Sequence, residues 1–288
     1  LSVARMMSVA TTAVVATLII LATLNVLGYR TLFLVAGLVT LVGGAILLPI
    51  GRQPVHGGGA RRRAPLRRRY WLYYLLEFLM GSRRHMFTTF AIFLLVRTYR
   101  VTPHTITLLY LINSLIGTYF NTVLGRSIIR FGERKVLVLN FILLAFVFAL
   151  YAIVPGWQAL AGPTFQVPGL AIGDWVLFPA FPATPGLAIL LGLFVVDNLL
   201  FSFSIALQCY FQKIALGPEE ITANISLGQA INHIAALVVP VAGGLVWDSL
   251  GSQYTFLAGV GIALIGLLLA NWIRAPRAEV YPLPALEG

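Results

Sequence analysis

The chain is poor in acid and almost free of cysteine: 288 residues carry nine Asp and Glu against twenty Lys and Arg, four His and one Cys. The single thiol, Cys209, excludes a disulfide within the chain, and its place inside a long apolar run reads as a packed, inert group. The strings that announce covalent or nucleotide chemistry are also missing. There is no Walker A sequence, no His-Glu-x-x-His, no Cys pair and no Gly-x-Ser-x-Gly. No two carboxylates stand at helical spacing inside an apolar run, so general acid–base chemistry has no pair to use. The chain therefore reads as no enzyme, with no cofactor and no metal centre. Charged residues make up 10% of the sequence, which leaves little for a soluble domain.

What the chain does have is apolar length. A helix needs roughly 20 mostly apolar residues to cross a bilayer. Runs of that kind lie near 8–27, 31–50, 70–96, 105–124, 136–154, 186–210, 223–246 and 254–273. Lipid offers no partner to exposed backbone groups, so such runs must be helices. The expected fold class is an all-α polytopic membrane protein with about eight transmembrane helices.

The basic residues are not spread evenly. Arg52, Arg61, Arg62, Arg63, Arg67, Arg68 and Arg69 fill one gap between spans, and Arg126, Arg130, Arg134 and Lys135 fill another two gaps later. Arg5, Lys213, Arg274 and Arg277 share their side by parity, while the opposite side collects only Arg30, Arg97 and Arg100. Excess Lys and Arg mark cytoplasmic loops, so the first group is expected to face the cytoplasm. The formal charge of +11 is then explained by topology and by contact with anionic lipid, without nucleic acid. Tyr70, Trp71, Tyr73 and Tyr74 read as an interfacial aromatic belt opening the third span.

Two long gaps differ in kind. Residues 51–69 are rich in Gly and Arg and read as a flexible cytoplasmic linker dividing two spans from six. Residues 155–185 carry six prolines with Trp157, Phe165, Trp175, Phe178 and Phe181, and read as an irregular outer loop on the membrane interface. An internal repeat sets Leu27-Gly28-Tyr29-Arg30-Thr31-Leu32-Phe33-Leu34 beside Leu250-Gly251-Ser252-Gln253-Tyr254-Thr255-Phe256-Leu257. The copies lie roughly 220 residues apart, about one half of a transporter built from two six-helix halves. The first residue is Leu and a span follows almost at once, so the chain reads as the later portion of a longer one.

The short basic loop after the fourth span runs Gly125-Arg126-Ser127-Ile128-Ile129-Arg130-Phe131-Gly132-Glu133-Arg134-Lys135. It resembles the loop signature of the major facilitator superfamily, in which Gly125, Arg130, Gly132, Arg134 and Lys135 match and Ile129 stands where the family has an acid. The resemblance implies a cytoplasmic gating loop between the eighth and ninth helices of a twelve-helix plan. It makes the eight spans helices 5 to 12, with helices 1 to 4 as missing partners. The implied domains are 1–50, the last two helices of the N-terminal bundle; 51–69, the linker; 70–274, a six-helix C-terminal bundle; and 275–288, a cytoplasmic tail.

Charges inside spans are costly and are functional candidates by default. The third span holds Glu77, Arg83, Arg84 and His85, and the sixth holds Asp197 and Asn198. These are the helices that line the cavity in this half of family members. Glu77, Gly81, Arg84 and Thr88 share a face by helical spacing while Arg83 points elsewhere, so Arg84 is the expected cavity-facing cation, suited to a carboxylate or phosphate. The alternative is an internal ion pair of Arg84 or Arg83 with Asp197 that only joins two helices. Glu77 suits a gate or a proton carrier, or a partner for Arg130 and Arg134. Asn232 and His233 suit proton coupling or an interhelical hydrogen bond, and Asn113 and Asn121 suit packing. The resemblance implies a secondary active transporter in a bacterial inner membrane, moving a small polar or anionic solute as a uniporter or proton symporter. The competing expectation is a non-transporting scaffold that keeps the fold.

Overall fold

In a computed structural model of the chain, the residues described are 66–172, 175–178 and 180–274, with scattered helical positions between 30 and 41. The span expected near 8–27, most of that near 31–50, most of the linker and the tail 275–288 lie outside them. Contacts divide the chain into two compact units. One takes 1–62, 102–114 and 164–183, and the other takes 63–101, 115–163 and 184–288.

The described part is mostly helical. After a 3₁₀ turn at Arg68–Tyr70 come α1 (Trp71–Met86), a π turn at Phe87–Ala91 and α2 (Ile92–Arg97), which together follow the expected third span. There follow α3 (Pro103–Phe131), α4 (Glu133–Ile153), α5 (Pro185–Leu200), α6 (Ser204–Ile214), α7 (Pro218–Leu250) and α8 (Ser252–Asn271). Two glycines in the left-handed region make the sharp turns: Gly132 at φ +82° joins α3 to α4, and Gly251 at φ +103° joins α7 to α8. The Thr184 hydroxyl caps α5 by accepting from the Leu187 N–H at 3.2 Å.

Among the described residues five helical stretches are long and apolar enough to cross a membrane: Thr105–Phe131, Glu133–Gly156, Pro185–Ile214, Glu220–Leu250 and Ser252–Asn271. The α1–α2 path is not among them, and it is the one with Glu77, Arg83 and Arg84 in its interior.

Residues 155–185 depart from the expected irregular loop. In the first unit, β1 (Phe165–Val167) pairs antiparallel with β4 (Phe181–Ala183), and between them β2 (Leu170–Ile172) pairs with β3 (Trp175–Phe178). The fold is therefore not purely α. The apolar and aromatic residues here favour extended chain. Among the described residues each sheet has two strands, so each strand pairs along one edge and tolerates a residue such as Pro182, opposite Gln166.

In the second unit, glycines set the helix crossings. A methyl added at Gly81 on α1 would lie 2.9 Å from Asn232 Cγ and 3.0 Å from Asn232 Cα on α7. Gly228 meets Tyr73 and Glu77, Gly243 meets Phe90, and on α8 Gly259 and Gly266 receive Phe148 and Phe141 of α4. Lipid supplies no hydrophobic drive between helices, so close packing at small residues carries their association. The α4–α8 seam is completed by buried Leu144, Tyr151, Phe256 and Ala263. The second-unit part of α3 is the contrast: Leu115, Ile116, Tyr119 and Val123 all stand exposed.

Candidate functional site

Near the middle of the α1–α2 path, Arg83 is 1% exposed, and near the middle of the α5–α6 path Asp197 is fully buried. Arg83 Nη1 meets Asp197 Oδ1 at 3.2 Å. The guanidinium also stacks on Phe201, its carbon 4.4 Å from the ring centroid. The pair neutralises two charges that the apolar surroundings would otherwise penalise. It is not saturated: among the described residues Arg83 Nε and Nη2, Asp197 Oδ2 and the neighbouring Ser82 Oγ have no hydrogen-bond partner.

Arg84 is exposed beside this pair. Its guanidinium carbon lies 5.5 Å from the same Phe201 ring, and among the described residues no carboxylate pairs with it. The expectation placed Arg84 as the inward cation and sent Arg83 elsewhere, whereas the residue joined to Asp197 is Arg83. Helical spacing shows which residues share a face. It does not show which face meets a partner on a distant segment.

The other expected residues scatter. Glu77 is buried at the α1–α7 crossing, its Cγ beside Gly228, and does not reach Arg130 or Arg134. Asn232 packs on Gly81 at the same seam, while His233 faces outward. Asn198 turns back to donate to its own helix at Phe194 O, 2.8 Å away. In the first unit, Asn113 is buried, with no partner for either side-chain polar atom among the described residues. In the second, Asn121 is exposed.

The 125–135 loop also corrects its expectation. Only Gly132 makes the turn; Gly125 lies inside α3 with open space around it. Arg126, Arg130, Arg134 and Lys135 are all exposed, and Arg130 lies over Phe131 at 5.3 Å. The acid that acts here is Glu133. It is 3% exposed and holds Lys213, at the end of α6, at 2.6 Å. With Ile129 in the usual acidic place, the sequence motif gave no reason to look one residue beyond Gly132.

A second polar cluster gathers where α1 begins. Glu220 of α7 pairs with Arg67 at 2.9 Å and accepts from the Tyr70 hydroxyl. Tyr74 donates to Asn224 Oδ1. The tyrosines expected as an interfacial belt are buried and hydrogen-bonded or packed inside. The exposed aromatics at that end are Trp71 and, just past the end of α8, Trp272, in contact with centroids 6.1 Å apart.

Among the described residues no group of three His, Cys, Asp or Glu could hold a metal ion. No protein-family model matches this chain, and no curated protein matches it.

Proposed function

We propose that the chain works as a secondary active transporter of the major facilitator type, moving a small polar or anionic solute across a membrane by alternating access. The observation that carries this reading is Arg84, a cation with no carboxylate partner among the described residues, beside a buried ion pair near the middle of the α1–α2 and α5–α6 paths. A carboxylate or phosphate would meet Arg84 as a bidentate partner, and the unpartnered atoms of Arg83, Asp197 and Ser82 supply further donors and acceptors within the same neighbourhood. Asp197 and Glu77 are the acids available to exchange a proton during a cycle. The membrane in this reading is a bacterial inner membrane, with the loop 125–135 on the cytoplasmic side.

The test is uptake by the full chain reconstituted in vesicles, using a panel of small carboxylates and inorganic phosphate. Arg84→Ala is expected to abolish uptake and leave membrane abundance near wild type. Uptake unchanged in that variant rules the site out. The scaffold reading is favoured by one observation, the closed Arg83–Asp197 pair, and expects no solute uptake by the wild-type chain.

A further inference from the structure

Between the second half of α3, the first half of α4 and the turn after α5 runs an apolar groove of about 380 Å³. Its floor is Phe120, Leu124, Val136, Leu139 and Phe203, with Phe120 and Phe203 in ring contact at 6.0 Å at the inner end. Its other end, at Gly132, is polar: Ser127 and Lys135 line it. Arg126, Arg130 and Arg134 stand exposed on the same turn. No carboxylate pairs with these four cations among the described residues, because the turn's own acid, Glu133, is engaged by Lys213.

We infer that this groove holds one acyl chain of an anionic phospholipid, with the phosphate at Lys135 and Arg130. Three features select that occupant. From Phe131 to Phe120 the groove follows α3 for eleven residues, a length of roughly 16 Å at the helical rise, which suits an extended acyl chain. Its walls offer nothing polar below Ser127, so a small hydrophilic solute has nothing to bind. Its mouth concentrates positive charge where α3 ends, and basic pockets between spanning helices recognise anionic head groups. An apolar helix would fill the shaft equally well but would leave the four cations without a counter-charge. The inference does not depend on the transport reading.

The experiment is native mass spectrometry of the full chain in detergent, loaded with phosphatidylglycerol or phosphatidylcholine of identical acyl chains. Retained phosphatidylglycerol should exceed phosphatidylcholine. Lys135→Ala and Arg130→Ala should each lower it by about fivefold, from the interaction of one basic residue with an anionic membrane surface, while Lys135→Arg retains it. Leu139→Trp, which fills the shaft and leaves the charges, should lower retention of both lipids; thermal melting checks that each variant stays folded. Three results overturn the inference. Phosphatidylglycerol displaced by millimolar inorganic phosphate would mark a free-anion site, retention sensitive to the charges but not to Leu139→Trp would mark surface attraction, and equal retention of both lipids would mark a site filled by protein or by nothing specific.

Discussion

Two stretches of this chain hold adjacent basic residues and treat them in opposite ways. In α1, Arg83 is sealed inside against Asp197 and Phe201, and even its neighbour Arg84 shares that ring. At the α3–α4 turn, Arg126, Arg130, Arg134 and Lys135 stand exposed with no acid paired to them among the described residues. The difference follows from the solvent each meets. Inside apolar surroundings an unmatched charge costs several kcal/mol, so the fold supplies a partner. At a membrane surface the same charge is stable alone and available to whatever anion arrives.

Arg83→Ala should have the largest effect. It leaves Asp197 buried and uncompensated, a cost of about 3–5 kcal/mol, so membrane abundance should fall sharply. Exchanging the two residues, Arg83→Asp with Asp197→Arg, should recover part of it. Recovery by the exchange would show that matching matters more than position; full abundance of the single change would show that water reaches the pair.

Gly81→Ala comes next. The added methyl meets α7 backbone as well as the Asn232 side chain, so α1 and α7 must separate, at about 1–3 kcal/mol. A melting temperature lowered while Gly117→Ala, in open space, stays near wild type would sharpen the contrast between the packed seam and α3.

The smallest change is expected from Arg67→Ala. Its partner Glu220 keeps the Tyr70 hydroxyl, and the arginine side chain is 46% exposed, so the loss should be about 0–1 kcal/mol and should shrink with salt. A loss comparable to that of Arg83→Ala would break the comparison.

The helices were legible in the sequence because apolar run length is a local property. The expected 136–154 and 186–210 lie inside Glu133–Gly156 and Pro185–Ile214. The charged candidates were legible as well, since Arg83, Arg84 and Asp197 stand out in apolar sequence. Their pairing was legible only as an alternative, an ion pair of Arg84 or Arg83 with Asp197, and the choice between the two arginines stayed open. Asp197 lies 114 positions from Arg83, and spacing within α1 cannot say which of two neighbouring arginines it meets. Glu133 was passed over because the motif looked for an acid at 129. The β-ladders of 165–183 were hidden by prolines, which usually exclude strands but which short edge strands accommodate.

Two irregularities sit at one height along the α1–α7 seam. The π turn Phe87–Ala91 replaces the normal rungs of its helix. Pro240 has no N–H to offer the carbonyl of Ala236, and Phe90 of the turn packs on Gly243, less than one helical turn from that proline. The break in each backbone ladder therefore lies beside the break in its neighbour's.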